Sequence, residues 1–292
     1  MSPYPLLHPR DCLSYTRAVS DSTATTAPYT LATGSAAVRR LHALHEVYSP
    51  YARGALIDAG LEAGMNVADF GCGVGLTTRM LAEMVGPTGS VVGIDFSLAQ
   101  VQEARAMAAR EGLGNVTFLQ ADACNTGLPR ASFDLAYCRF LLIHLPKPAA
   151  CISEMLAVLK PGGILVLEEG DLTTVRSEPP TATNAFSDLF GRLGPTRGLD
   201  YSVGKDLQRF AAEAGLPVAR HADHQPACIT YEQRQLAKWS VEEAAPSFIG
   251  SGLITQEQLA NTILEMQQAV DTPAVTIFAA RMYSVCGLKA QL

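Results

Sequence analysis

Val67-Ala68-Asp69-Phe70-Gly71-Cys72-Gly73-Val74-Gly75 decides the fold of this chain. An apolar run ends in a carboxylate, three alternate glycines follow, and Leu76 to Val85 is apolar at helical spacing. That order reads as a buried strand, a tight turn and the first turn of a helix. Glycine at 71, 73 and 75 admits positive φ and lets a ligand lie close to the backbone. The unpaired N–H groups of the helix start point into the same space. The turn is therefore a cradle. Its spacing is G-x-G-x-G, not the dinucleotide spacing G-x-G-x-x-G, so the bound molecule need not carry a pyrophosphate.

The same rhythm continues downstream. Val91 to Asp95 is a second buried strand ending in a carboxylate, and Ser97 with Gln100 spaces a capping box for a helix through Arg110. Asn115 to Gln120, Phe133 to Tyr137 and Ile164 to Leu167 read as three more strands. Ala149 to Leu159 reads as a helix stopped by Lys160-Pro161-Gly162-Gly163. Continuous apolar strands alternating with amphipathic helices imply an α/β fold, a parallel sheet covered on both faces. Upstream, Ser35 is placed to cap a helix carrying Val38, Leu41, Leu44 and Tyr48, and Ser49-Pro50 to open a second one ending near Gly60 or Gly64. Downstream, Val203 to Ala214, Glu232 to Ala244 and Thr255 to Val270 read as helices. The stretch 217–230 holds a sixth strand, and Ala274 to Val285 a last one.

Residues 1–28 carry Pro, Ser and Thr with few large apolar groups and read as a mobile tail. The rest forms one domain: N-terminal helices over 29–64, a ligand-binding core over 65–170, a lid over 171–200 and the end of the sheet over 201–292. The chain has 292 residues, enough to bury a large core, and 22 basic against 28 acidic residues leave no field that favours nucleic acid or an anionic membrane. Seven scattered cysteines without a CxxC pair fit reduced thiols in a cytoplasmic setting, not a disulfide or zinc framework.

Asp69, Asp95 and Asp122 each close a strand, and ligands of doubly wound sheets bind outside those carboxyl ends. Asp95 is placed to accept both hydroxyls of a ribose, Asp122 an exocyclic amine of a purine, and Asp69 to face a cationic amino group directly or through water. Each alone would pass for a loop-entry aspartate or a helix cap; three in register with a glycine turn make a constellation.

In order and spacing, Asp69 to Gly75, Gly93-Ile94-Asp95-Phe96-Ser97, Gln120-Ala121-Asp122, Phe133 to Arg139 and Leu159 to Gly163 resemble the motifs of class I S-adenosylmethionine-dependent methyltransferases. The resemblance covers residues 30–170. It implies a Rossmann-like, doubly wound sheet of seven strands in the order 3-2-1-4-5-7-6, the last antiparallel, with helices on both faces. It further implies that Gly71, Cys72, Gly73 and Gly75 carry the methionine part of the cofactor. Asp95, with Phe96 and Ser97 beside it, would carry the ribose, and Asp122 with Ala123 the adenine. Arg139 would lie beside the methionyl group and sulfonium, and Tyr29 in an N-terminal element that closes over the cofactor. Cys72 departs from the usual turn residue and reads as a small packing group; nothing nearby makes it a reactive thiolate.

His144, just beyond the fourth strand, is a candidate general base, or a structural histidine bonded to backbone. His42 and His45 share a helical face, and His45 is close enough to the apolar stripe to line a pocket. Glu169, with Glu168 and Asp171, borders the same cleft and is placed to bind a substrate cation or to be solvated. His221, His224 and Cys228 have a metal-like spacing, but residues three apart on a strand face opposite ways, so no metal is expected.

The activity the resemblance implies is methyl transfer from S-adenosylmethionine, releasing S-adenosylhomocysteine, to an oxygen or nitrogen of a small-molecule metabolite, with carbon, and a protein or lipid acceptor, open as well. No nucleic acid or membrane partner is expected. Two other readings share the turn: a nicotinamide-dependent oxidoreductase, for which Asp122 has no use, and a protein that binds the cofactor without transferring its methyl group.

Overall fold

The computed structural model describes residues 30–291. Tyr29 and the tail over 1–28 lie outside the described residues. A three-residue-per-turn segment, Gly34–Ala37, leads into α1 (Val38–Ala59). The core then alternates β1 (Asn66–Phe70), α2 (Leu76–Val85), β2 (Ser90–Asp95), α3 (Leu98–Arg110) and β3 (Val116–Gln120), followed by β4 (Phe133–Arg139), α4 (Pro148–Val158) and β5 (Leu159–Asp171). Beyond lie β6 (Arg176–Glu178), α5 (Ala185–Thr196), α6 (Leu207–Glu213), β7 (Val218–His224), α7 (Tyr231–Arg234), α8 (Leu236–Gly250), α9 (Gln256–Asp271), β8 (Thr276–Phe278) and β9 (Arg281–Leu288).

Seven strands form one sheet in the order β3-β2-β1-β4-β5-β9-β7. The first five in the chain pair in parallel, and β9 runs antiparallel to both its neighbours. Numbered within this sheet alone, that is the expected 3-2-1-4-5-7-6. Strand alternation explains why both faces are covered. Val67, Val91, Leu135 and Val166 pack with Leu56 of α1 and Leu81 of α2, while Ala68, Ile94, Ala136 and Leu167 pack with α4 and α5 on the opposite face. No helix among the described residues is long and apolar enough to cross a membrane.

Several local expectations are corrected. Ser35 makes no cap, and Pro50 does not start a helix: α1 runs unbroken through it to Gly60, whose φ is 99°. The buried stripe Ala43, Val47, Ala52, Leu56 spans both halves, so packing holds the rod together. Pro50 lies on the exposed side, as does Glu46 one turn earlier, where a freed carbonyl reaches water. The Ser97 box is half formed. Its hydroxyl accepts from Gln100 N at 3.4 Å, but the Gln100 side chain accepts instead from Gly34 N at 3.2 Å. β5 extends to Asp171, so the acidic cluster belongs to the strand rather than following it. The stretch 274–285 divides into β8, which pairs with β6 in a separate ribbon, and β9. Val203 to Ala214 divides into a short tight turn and α6, and Glu232 to Ala244 into α7 and α8.

If α1 is one helix, Pro50→Ala restores a backbone donor and removes the ring clash. It should stabilise the protein by about 2 kcal/mol, helix propensity outweighing the lost rigidity of the unfolded chain. Urea denaturation reads this as a higher midpoint at unchanged slope; a lower midpoint would mean that Pro50 opens a helix after all.

Candidate functional site

The cleft opens at the carboxyl ends of β1, β2 and β4, roofed by α1, α5 and α8. The three glycines of the turn differ in their reasons. All have positive φ: 73° at Gly71, 55° at Gly73 and 82° at Gly75. A Cβ at Gly71 would sit 2.9 Å from Leu141 Cδ1, and one at Gly75 2.8 Å from the Phe118 ring. Those two are glycine because neighbours press on them, and Gly75 does not reach the cleft wall. Gly73 has only Leu41 Cδ1, 3.8 Å away, so its bare backbone faces open space.

Asp95 fixes that turn. Its Oδ2 accepts the Gly73 N–H and its Oδ1 the Ser97 N–H, both at 2.9 Å. Burial pushes its pKa up while the two amides pull it down. Asp69 is wholly buried beneath the turn, accepts from Thr78 Oγ1 at 2.6 Å, and is not part of the cleft wall. Burial raises its pKa to about 7. A direct contact with a ligand's amino group is therefore corrected: Asp69 braces the turn from below. Asp122 is exposed, its Oδ1 accepting from Cys124 N at 2.8 Å, and Ala123 is buried beside it. Phe96 exposes its ring beyond Asp95. Phe96, Ser97, Asp122 and Ala123 follow the neighbouring strands β2 and β3, outside the enclosed part of the cleft. The Cys72 thiol is buried, and burial with two nearby carboxylates holds its pKa well up, so it is a protonated packing group.

Arg139, the last residue of β4, crosses to the turn side of the cleft. Its Nη2 donates to Thr77 Oγ1 at 2.9 Å and meets His45 Nδ1 at 3.2 Å. Its Nη1 is buried with no hydrogen-bond partner. An orphaned guanidinium nitrogen beside a bare glycine turn fits an anionic group such as an amino-acid carboxylate. With Asp95 at the next strand end, the residues present fit S-adenosylmethionine. His45 lies on the wall as expected, its pKa lowered to about 3 by burial and by Arg139.

Phe140 follows with φ of 53°, unusual for a non-glycine residue, and lines the cleft edge-on to Tyr48 at 5.0 Å between centroids. A Cβ at Gly170 would run into its ring, so that glycine leaves it room. His144 also lines the cleft, its pKa lowered to about 3 by burial and by Arg40 and Arg197. Glu169 neither faces the cleft nor meets water. It is fully buried and accepts from Leu142 N at 2.6 Å, Gly170 N at 3.0 Å and Ile143 N at 3.4 Å. It therefore anchors the turn that carries His144 and is withdrawn as a substrate ligand. Glu168 is likewise buried, bonded to Tyr137 Oη. His221, His224 and Cys228 are not brought together: His221 is exposed, His224 stacks on Tyr51, and Cys228 is buried.

Two features of the wall were legible in the sequence only as segments, the N-terminal element and the lid, and a third, Arg40, went unread. Thr30 and Leu31 line the cleft next to Tyr29's position, Thr30 Oγ1 meeting Tyr201 Oη at 2.7 Å. Phe186 and Phe190 of α5 form an aromatic side. Arg40 is buried on α1 and bonded to Glu243, where a cation on an otherwise apolar helix face was the available signal.

Residues 61–215 match a family described as a methyltransferase domain. The chain is 34% identical over 178 residues to demethylmenaquinone methyltransferase of Lactococcus lactis, covering 55% of this chain and 69% of that enzyme. It is 30% identical over 168 residues to a ubiquinone/menaquinone biosynthesis C-methyltransferase of Saccharophagus degradans, covering 57% and 65%. In fold it resembles a solved S-adenosylmethionine-dependent methyltransferase from Aquifex aeolicus, with a TM-score of 0.51 at 24% identity over 64% of this chain and 92% of that one. The chain belongs to the methyltransferase family. It is an S-adenosylmethionine-dependent enzyme that methylates small molecules, and the oxidoreductase and transfer-inactive readings fall away.

The buried ionisable groups set how folding depends on pH. Asp69 rises from 3.8 to about 7 and Glu169 from 4.5 to about 8, so the native state holds protons that the unfolded chain has lost. Their effect is to weaken folding as pH rises through that span. His45 and His144 fall from 6.5 to about 3, which strengthens folding as pH rises toward 6.5. The effects oppose one another below 6.5, and above it only the carboxylates act. Stability of the ligand-free protein is therefore expected to fall between pH 6.5 and 8, less steeply in Glu169→Gln. Thermal unfolding at the two pH values measures it, and a rise would show both carboxylates ionised in the native state.

Proposed function

We propose that this cleft methylates an oxygen or carbon nucleophile of a small, largely apolar acceptor. The observation that carries the reading is the cleft lining away from Asp95: Phe140, Phe186, Phe190, Phe278, Leu172 and Val175 belong to it, and among the described residues no second carboxylate joins them. An amine acceptor would arrive largely as an ammonium and need an anion there. Withdrawing Glu169 leaves Asp95, at the cofactor end, as the one carboxylate on the wall among the described residues. The quinone-related names of two relatives support an aromatic acceptor and a carbon nucleophile.

In this reading the backbone at Gly71, Cys72 and Gly73 lies along the methionine part of the cofactor, and Arg139 Nη1 takes its carboxylate. Asp95 accepts from the ribose hydroxyls through the lone pairs that its two amides leave free. Phe96 and Ala123 flank the adenine, whose amine donates to Asp122. The segment 171–200, with α5 at its centre, covers the acceptor. S-adenosylmethionine supplies a methyl group already made electrophilic by its sulfonium. The protein's part is to align the nucleophile and exclude water, which an aromatic wall does. The scattered thiols support a cytoplasmic setting.

Neither imidazole on the wall is a strong base, since burial and neighbouring guanidinium groups hold both near 3. His144 is thus a neutral group that shapes the pocket. The rate is expected to rise with pH along the acceptor's own ionisation, with no limb near 6.5, the ordinary histidine value. His144→Ala should raise the acceptor KM and cost kcat less than the roughly 10²–10⁴-fold expected of a lost general base. A loss in that range, with the pH dependence shifted, would make His144 the base.

Asp95→Ala and Arg139→Met should each weaken S-adenosylhomocysteine binding by about ten- to a hundredfold, the worth of one or two hydrogen bonds to a charged group. Calorimetry on the folded variants decides this, and unchanged affinity in both would remove the cofactor from this end of the cleft.

A further inference from the structure

Two guanidinium groups reach the cleft wall, Arg139 at the glycine turn and Arg40 from α1, and they are held in different ways. Arg40 is almost wholly buried. Its Nε donates to Glu243 Oε2 at 2.7 Å, and the same oxygen accepts the Ala32 N–H at 3.1 Å. The grip is side-on, through one nitrogen. Among the described residues neither terminal nitrogen of Arg40 carries a hydrogen bond, although a guanidinium is a fork of five donors. The ionisable groups around it are Glu243 on α8 and His144 after β4, and Arg197 at the end of α5 acts on both His144 and Tyr201. A buried fork with free prongs, set in an aromatic wall, is matched to an oxygen that carries negative charge.

We propose that Arg40 binds the ionising oxygen of the acceptor, so that the substrates are acidic hydroxyl compounds of the phenol or enol class, methylated as their oxyanions. This rests on the methyl-transfer reading above and names its substrate class. The acceptor's proton leaves to solvent, because no imidazole on the wall holds it. The oxyanion's electron pair, on oxygen or on the conjugated carbon, forms the bond to the methyl carbon. The methyl–sulfur bond breaks with its pair passing to sulfur, and an anion and a sulfonium become two neutral products. Arg40 raises the ionised fraction of the acceptor at neutral pH, at some cost in the nucleophilicity of each anion.

The probe is para-nitrophenol, whose ionisation changes its colour, titrated with pH on protein saturated with S-adenosylhomocysteine. Bound to the native protein its pKa should fall by about 1–3 units below its value in water. In the double variant Arg40→Gln/Glu243→Gln, which removes the pair without leaving a lone buried carboxylate, the bound probe should instead titrate at or above its value in water, as burial alone dictates. Arg40→Lys should give a smaller fall, a point charge replacing the fork. S-adenosylhomocysteine affinity, measured first by calorimetry, should be the same in all of them. A bound probe whose pKa does not fall in the native protein, an equal fall in the double variant, or no binding of the probe to the cofactor-loaded protein overturns the assignment. Failure to bind S-adenosylhomocysteine at all takes down the methyl-transfer reading itself.

Discussion

One carboxylate holds the two halves of the cofactor end together. Asp95 accepts the N–H of Gly73 from the turn after β1 and that of Ser97 from the start of α3. Neither loop has regular structure to keep it in place, and each offers backbone donors that would otherwise be left unpaired. Gly71 and Cys72 add a second tie, both donating to Ile94 O, at 2.8 and 2.9 Å. The turn is thus stitched to β2 before any ligand arrives. That leaves Gly73 in its left-handed conformation, with bare backbone toward the cleft, and a flexible turn would first have to be ordered by its ligand at a cost in affinity.

The sheet and its strand ends were legible because parallel strands buried on both faces have no freedom to be anything but apolar runs, and their ends are where carboxylates and glycines gather. The misreadings share a cause. Glu168 and Glu169 looked like strand-end groups because two adjacent acids seem to forbid a buried strand. Their partners, Tyr137 Oη and the amides of Leu142 and Ile143, lie in distant sequence and are brought up only by the fold. Pro50 looked like a helix start because local rules place proline there, yet a stripe from Ala43 to Leu56 needs one rod. The φ of Phe140 left no trace in composition, since the room for its ring comes from Gly170 on the adjacent strand. Arg40 did leave a trace, a cation on an apolar helix face, but its meaning depended on Glu243, which the chain supplies two hundred residues later.

The charges of the site are layered. Asp69, Glu168 and Glu169 lie behind the wall, each bonded to a protein donor, and burial pushes all three toward the protonated form. Their role is architectural: bracing the turn, fixing the end of β4, and anchoring the turn that carries His144. On the wall itself lie Asp95, Arg139 and Arg40, beside two imidazoles that burial and neighbouring guanidinium groups hold near 3. In the proposed reading a cationic methyl donor is tolerated there because its own carboxylate would take the unpartnered Nη1 of Arg139.

That arrangement bears on how the reaction gains speed. When an anion attacks a sulfonium, charge is lost on the way to the transition state, so a polar, water-filled site would hold the reactants back by solvating them. An aromatic wall withholds that solvation. Withholding it completely would keep the acceptor protonated, because burial disfavours the charged form of a hydroxyl as it does that of Glu169. One buried guanidinium, reached through prongs that Glu243 leaves unengaged, resolves the conflict: it compensates the oxyanion at a single point and admits no water. Glu243 in turn keeps the empty site from holding an uncompensated buried charge, which would cost far more than the pair does. The side-on grip through Nε then has a physical reason, since a bidentate pair would have satisfied the guanidinium and left the acceptor nothing to bind.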